Sequence, residues 1–247
     1  MPRRTFGMLG VLALLPLCAS ARRADAWEGR YALEMRVASV ARVPVMGEQR
    51  SVTRSLLLVE VERRGGRLVQ RQRVCDVEIR TPKVRMTVPD AFIHALAPRE
   101  YTAEVRGDAS RGRYSADPGI EYVGYDPRLT GGALPRDRRS PGVVDSDGDG
   151  EPGATVVGHF PVFGRVSFFV AQRSHLVLRG RQLSADRVEG SVDVLVLEQR
   201  TLGSSNRFFG QTLAVRPDPA ASGFTMLRTT VRGCPELVRG ADAMFAR

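Results

Sequence analysis

Apolar and polar side chains alternate along most of this chain, and this period of two limits the fold more than any other feature. The odd-numbered positions of 31–37 and of 57–61 are apolar, and most of the positions between them are charged or small. Successive side chains of a strand point to opposite faces, so each segment predicts a half-buried strand. Two glycines within Arg64-Gly65-Gly66-Arg67 predict a hairpin turn after the second segment.

The same pattern continues through the second half of the chain, with little helical periodicity. Further strands are predicted at 166–173, 175–182, 188–198, 208–215 and 224–231. One short helix is predicted at 89–96, because Pro89 suits a first helical turn and Phe92, Ile93 and Leu96 share a face. Eight to ten strands without interleaved helices predict an all-β fold, a single antiparallel barrel or sandwich.

A long segment rich in Gly, Pro, Asp and Arg interrupts the strands between residues 126 and 154. The strands on either side of it are too few to form two separate cores. We therefore predict one β domain over 27–240 with this segment as an insertion loop. A division into two domains at the loop is the alternative.

The N-terminus has the order of regions typical of a secretory signal peptide. Arg3 and Arg4 precede an apolar run at 6–17, and small residues follow. This predicts a signal peptide at 1–21 with cleavage after Ala21, or alternatively after Ala26, and export to the periplasm or the extracellular space. The apolar run is shorter than the roughly 20 residues that a transmembrane helix needs, so no transmembrane span is expected.

The three cysteines separate into one in the signal segment and two in the body of the chain. Cys18 could carry a lipid anchor after cleavage, but Leu17 stands where a lipoprotein signal has a small residue. If Cys18 is removed with the signal, Cys75 and Cys234 remain in a compartment where disulfides persist. We expect them to pair; two unpaired cysteines are the alternative.

The segment Asp145-Ser146-Asp147-Gly148-Asp149-Gly150-Glu151 is the most specific motif in the sequence. Calcium prefers six to eight oxygen ligands, and aspartates at alternate positions of a tight loop can converge on one ion. We therefore predict a structural Ca²⁺ site with side-chain ligands from Asp145, Asp147 and Asp149 and the backbone carbonyl of Glu151.

This motif resembles the Asp-x-Asp-x-Asp-Gly calcium loops of EF-hands, dockerins and thrombospondin type-3 repeats. It departs from the EF-hand at the twelfth position, where Val156 replaces a bidentate glutamate, and Pro152 and Gly153 disfavour an exiting helix. The resemblance implies calcium binding in the affinity range of extracellular modules, completed by water or a remote ligand. A solvated acidic turn beside Arg136, Arg138 and Arg139 is the alternative.

Two observations bear on partners. The formal net charge is +10, and Lys83 is the only lysine among 37 basic residues, which indicates codon bias rather than a specific nucleic-acid partner. A polyanion or cell-envelope component could still bind outward-facing arginines, namely Arg71, Arg73, Arg179, Arg181 and Arg187. The segment Trp27-Glu28-Gly29-Arg30-Tyr31 resembles the Gly-x-Trp start of lipocalin-like barrels with its order changed, which implies a small apolar ligand inside the barrel.

Catalytic motifs give no assignment. His94, His159 and His175 lack the spacing of a zinc site, and no G-x-S-x-G elbow or phosphate-binding loop is present. The sequence therefore predicts an exported, non-enzymatic binding or structural protein with a calcium-stabilised loop. An exported hydrolase whose site is assembled from distant residues is the alternative.

Overall fold

The computed structural model describes residues 27–43, 47–107, 112–212 and 214–246. The predicted signal peptide, Cys18 and both cleavage positions lie outside these residues. Within them, no helix has the length and apolar character that crossing a membrane requires.

The described chain forms eleven antiparallel strands and three α-helices, which confirms the all-β class. The strands are β1 Gly29–Val43, β2 Gly47–Arg64, β3 Arg67–Arg80, β4 Arg85–Thr87, β5 Arg99–Arg106, β6 Arg113–Ala116, β7 Ile120–Val123, β8 Ala154–Phe160, β9 Gly164–Ser184, β10 Arg187–Ser204 and β11 Val215–Arg228. The helices are α1 Asp90–Ala95, α2 Pro127–Thr130 and α3 Cys234–Phe245.

Eight of the strands close into a ring. Starting from β1, each pairs with the next in the order β1, β2, β3, β5, β6, β9, β10, β11, and β11 pairs back with β1. Closure leaves no free edge in this tier, so each of the eight strands has a paired neighbour on both sides. The strands on both sides of the insertion contribute to the same ring.

A second tier lies above the ring, because β3 and β9 are much longer than β5 and β6. The end of β3 pairs with β4, β4 pairs with β8, and β8 pairs with the start of β9. The short strand β7 also joins β9, between the two tiers. The second tier carries the insertion between β7 and β8.

The inside of the ring is filled by side chains rather than by a cavity. Two polar contacts join neighbouring parts of the ring wall: the hydroxyl of Tyr114 in β6 donates to Gln70 Oε1 at 2.8 Å, and that of Tyr101 in β5 donates to Gln72 Oε1 at 2.6 Å. The buried apolar residues of this core are Trp27, Tyr31, Leu33, Val37, Leu57, Val59, Val61, Leu68, Ala103, Tyr114, Ala116, Leu178, Val188, Val192, Phe224 and Met226.

Two strand predictions needed revision. Residues 166–173 and 175–182 belong to a single strand, β9, because no turn residue separates them and Ser174 stays buried within the strand. The strand predicted at 208–215 is wrong for its described residues: Phe208 and Phe209 belong to the 3-10 helix Arg207–Phe209, and β11 begins only at Val215. The side chain of Asn206 accepts the backbone N–H of Phe208 and so starts that helix.

The helix predicted at 89–96 is present as α1, whereas α3 was not predicted. Helix α3 packs on the outer face of the ring, where Leu237 and Ala241 contact Ala32 and Leu56. Its pattern of apolar residues at 237, 241 and 244 has helical spacing and follows a proline at the helix start, so the sequence does carry a signal for it.

The Cys75–Cys234 disulfide is confirmed, with a Cα–Cα distance of 4.9 Å. It joins β3 to the start of α3 across 159 residues of sequence. The register between β2 and β3 shifts where Leu56 pairs with Asp76 and Leu57 with Val74, so Cys75 is the extra residue of a bulge. The alternation of apolar and polar residues is irregular between Leu68 and Val74, which predicts a bulge there, and the observed bulge lies just beyond that segment.

Charged groups also connect α3 to the ring. The buried carboxylate of Glu34 accepts a hydrogen bond from Arg54 Nε at 2.5 Å, and Arg54 Nη1 contacts Asp242 of α3 at 2.9 Å. Glu34 also pairs with Arg36 at 2.6 Å, so the buried Glu34 and Arg54 belong to a network that extends to more exposed partners on both sides.

Replacing Cys75 and Cys234 together by serine should lower the stability of the folded protein. The disulfide closes a loop of about 160 residues, for which the chain-entropy model gives roughly 5 kcal/mol. Urea unfolding of both proteins measures the difference, and a reducing agent should destabilise only the wild type. Two thiols that react with alkylating agents in unreduced, folded protein would contradict the pairing.

Replacing Leu237 of α3 by alanine should destabilise the protein by about 2–5 kcal/mol, because this side chain is completely buried between the helix and the ring. Val238 is the matched control, since 40% of it is exposed one position along the same helix. Its change to alanine should cost about 0.5 kcal/mol or less. Equal losses in urea unfolding would mean that α3 does not dock through Leu237.

Candidate metal centre

The insertion between β7 and β8 is folded around its own small apolar cluster. Tyr125, Leu134 and Val143 pack there against Ala171 and Leu202 of the long strands β9 and β10. The hydroxyl of Tyr125 also donates to the carbonyl of Gly132 inside the insertion at 3.3 Å. The insertion is therefore an ordered part of the fold, attached to the outside of the sheet.

The two ends of the insertion are joined where the acidic motif begins. The N–H of Val144 donates to the carbonyl of Gly124 at 3.2 Å, and the N–H of Gly153 donates to the carbonyl of Val144 at 2.8 Å. Gly124 and Gly153 have φ values of +80° and +93° and lie against the carbonyl of Val170 in β9, where a Cβ on either would come within 2.5 Å of the oxygen. Glycine is required at both positions, and the acidic loop is held closely against β9.

Asp145 organises the first half of the acidic loop. Its carboxylate accepts the backbone N–H groups of Gly148 at 2.7 Å, Asp149 at 3.2 Å and Gly150 at 2.8 Å. These hydrogen bonds, first that from Gly150, lower the pKa of Asp145. Positive φ values at Gly148 and Gly150 allow the tight turn that aims these N–H groups at one carboxylate.

Thr155, in the second position of β8, holds the other two aspartates. Its backbone N–H donates to Asp147 Oδ2 at 2.8 Å, and its hydroxyl donates to Asp149 Oδ2 at 2.5 Å. Thr155 is itself buried. Sequence analysis did not identify this residue, because a threonine at the start of a strand has no distinguishing pattern.

The second oxygen of Asp147 is the unusual atom of the site. Among the described residues, nothing donates a hydrogen bond to Asp147 Oδ1, although that atom is buried. Burial, and then repulsion from Asp149 and Asp145, raise the pKa of Asp147. A buried carboxylate oxygen without a partner is costly, and such groups call for a bound water or ion.

The three aspartates satisfy the size requirement of a single cation. One oxygen from each of Asp145, Asp147 and Asp149 lies within 4.8 Å of the other two. Ca²⁺–oxygen distances of about 2.3–2.6 Å place ligands on opposite sides of the ion about 4.6–5.2 Å apart. The arrangement can hold a hard divalent cation through carboxylate oxygens.

The structure brings Asp145, Asp147 and Asp149 together, but the side chain of Glu151 lies outside the group. Its carboxylate is 3.6 Å from Arg138 Nη2 instead. Sequence analysis assigned only the backbone carbonyl of Glu151 to the ion, and that assignment stays a prediction. Val156 lies in β8, so no carboxylate follows at the twelfth position and no helix leaves the loop.

His175 and His159 each contact one polar side chain. His175 Nε2 lies 2.7 Å from Asp117 Oδ1, and His159 Nε2 lies 3.3 Å from the hydroxyl of Thr87. Within the described part of the chain, no serine or threonine hydroxyl hydrogen-bonds to His175. The elements of a nucleophile, base and acid therefore occur at separate places.

The surface has two concave regions where a ligand could be considered. A cavity of about 40 Å³ beside Leu33, Leu57 and Leu178 adjoins the barrel core. A much larger open groove of about 1,090 Å³ runs along the outer face, where Arg113 and Arg181 are cross-strand neighbours. The other arginines lining the groove are Arg36, Arg106 and Arg179, and its glutamates are Glu34, Glu104 and Glu189.

Comparison with known proteins does not assign this chain to a family. None of the protein-family models matches this chain, and neither does any curated protein or solved structure. The function must therefore be inferred from the chain's own residues.

Proposed function

We propose that this chain is an exported, non-enzymatic binding or structural protein whose insertion loop is stabilised by a calcium ion. The ion would bind Asp145, Asp147 and Asp149, with the backbone carbonyl of Glu151 and water completing the shell. The disulfide between Cys75 and Cys234 is consistent with an oxidising compartment and so supports export.

The observation that carries the calcium proposal is the buried, unpartnered Oδ1 of Asp147. Its other oxygen already accepts the N–H of Thr155, so the free oxygen faces a position that no described donor fills. A cation there would satisfy this oxygen and offset the repulsion among three carboxylates. A hard cation with flexible coordination suits a loop that supplies carboxylate and carbonyl oxygens.

The position of the site determines what the ion would stabilise. Asp147 and Asp149 are tied to Thr155 of β8, and the adjacent Gly153 lies against β9. An ion bound here would link the C-terminal end of the insertion to the second tier of the sheet. Its role would be structural, because the ion would join these two parts of the chain.

The small apolar ligand and the polyanion that the sequence suggested have less support than the calcium ion. A cavity of about 40 Å³ is far below the roughly 300–1,000 Å³ of a small-molecule site, so a ligand inside the barrel is not part of the proposal. Of the arginines suggested for a polyanion, Arg179 pairs with Asp193 at 2.6 Å and Arg187 pairs with Glu189. These pairs reduce the positive charge of the outer face, and a polyanion is not included either.

Adding millimolar Ca²⁺ to chelator-treated protein should raise its melting temperature. A ligand that binds only the folded state at a hundredfold excess over Kd adds about 2.7 kcal/mol, and Mg²⁺ should add less because it demands octahedral geometry. The variant D147N should lose most of this response without lowering the stability of the calcium-free protein, since it removes a repelled, buried charge.

The matched control is D137N, the same change at an exposed aspartate of the same insertion outside the cluster. Its calcium response should equal that of the wild type. Scanning calorimetry gives the melting temperatures and titration calorimetry gives the heat of binding. No calcium-dependent shift and no heat in the wild type would show that the loop is only an acidic turn.

A further inference from the structure

A cluster of exposed and half-buried apolar side chains, here called the aromatic tip, lies at the end of the second tier. It is built from the turn between β8 and β9 and from the 3-10 helix that follows β10. Hydrogen bonds between Ser167 and Ser205 hold these two segments side by side, at 2.9 and 3.0 Å. The members of the aromatic tip are Phe160, Val162, Phe163, Phe168, Phe208 and Phe209.

Ring contacts give the aromatic tip a defined shape. The ring of Phe209 lies at its centre, with centroid distances of 4.6 Å to Phe160, 5.1 Å to Phe163 and 6.0 Å to Phe168. Phe168 also packs against the buried cluster formed by Val123, Ala154 and Val170. The inner rings therefore anchor the tip to the sheet and leave the outer side chains directed away from it.

The outer side chains have no protein surface to cover them. Val162 is 86% exposed, Phe208 71% and Phe163 51%, whereas Phe209 between them is half-buried. Val162 and Phe163 are neighbours in the hairpin turn, and the ring of Phe209, next to Phe208 in the chain, contacts Phe163. The exposed side chains are therefore grouped, unlike the scattered single apolar residues that every surface has. A contiguous exposed apolar patch marks a binding surface.

The chain segments that form the aromatic tip carry only positive charges. Residues 154–172 and 199–217 contain no Asp or Glu but include Arg165 and Arg207. The guanidinium of Arg207 lies 5.2 Å from the ring centroid of Phe208. Arg85 joins this region through the register pairs of His159, which pairs with Arg85 on one side and Arg165 on the other. Among the described residues, none of the three arginines forms an ion pair.

From this combination we infer that the aromatic tip inserts into the interface of an anionic phospholipid membrane. Phenylalanine and valine at a hairpin end can enter the boundary between headgroups and acyl chains, while the arginines contact lipid phosphates. A second copy of the chain fits less well, because two such tips would bring their arginines together. This inference is independent of calcium binding and adds a site to the proposed function.

The test is flotation of the purified protein with vesicles of phosphatidylcholine containing phosphatidylglycerol, beside vesicles of phosphatidylcholine alone. The wild type should float with the anionic vesicles, and its binding to them should weaken as the salt concentration is raised from about 0.05 to 0.5 M. The variant V162S/F163S/F208S should bind at least about tenfold more weakly, because it removes the inserted apolar surface. All three positions are exposed, so the fold should persist.

A matched control variant, L129S/L183S/L195S, removes three similarly exposed apolar residues elsewhere on the surface. This control variant should bind the anionic vesicles as strongly as the wild type does. Equal loss in this control, or unchanged binding in the tip variant, would overturn the inference. So would a concentration-dependent dimer in sedimentation velocity that only the tip variant abolishes, because the tip would then be a contact between two copies.

The variant F163W gives a local readout of insertion. The only native tryptophan, Trp27, is buried in the ring core and provides a constant background. The emission of the new indole should shift to shorter wavelength when anionic vesicles are added, since its surroundings become less polar. An unshifted spectrum on protein that floats with the vesicles would show that another surface binds the lipid and would overturn the inference.

Discussion

Closure of eight strands into a ring is the constraint on which the rest of the structure depends. The ring closes because β9 pairs with β6 on one side and β10 on the other, while β11 returns to β1. Closure buries one face of every strand, and that face supplies the core from Trp27 to Met226. The outer face is then free to bind accessory elements, and α3 occupies part of it through the disulfide and Leu237.

The insertion depends on the same strands but not on closure. It lies against β9 and β10 above the ring, and its contacts with them are close because Gly124 and Gly153 have no side chain. The acidic loop places charge where the chain re-enters the sheet at β8. Without a cation, the buried Oδ1 of Asp147 has no donor among the described residues and its carboxylate is repelled by those of Asp149 and Asp145. This cost falls on the segment that joins the insertion to the sheet.

The period-two pattern predicted the fold class because one face of nearly every strand is buried in a single core. The pattern predicted two strands where the structure has the single strand β9. This strand passes from the ring to the second tier, and its neighbouring strands change along its length although no turn residue interrupts it. The pattern also failed at Phe208 and Phe209, which lie in a 3-10 helix of the aromatic tip, Phe208 exposed and Phe209 half-buried, instead of on a buried strand face. The three aspartates were predictable from local spacing, whereas Thr155 joins them only through tertiary structure.

The two tiers treat their aromatic residues differently, and the strand pairing explains why. In the ring, Trp27, Tyr114 and Phe224 pack inside because all eight strands are joined. In the second tier, the described parts of β10 and β11 pair only over residues 187–191 and 223–227, so the upper part of β10 has β9 alone as its strand neighbour. A sheet that does not close has no interior for more rings, and the phenylalanines that follow β8 and β10 therefore lie on the surface. The surface that closure leaves unfinished is the one suited to contact a membrane.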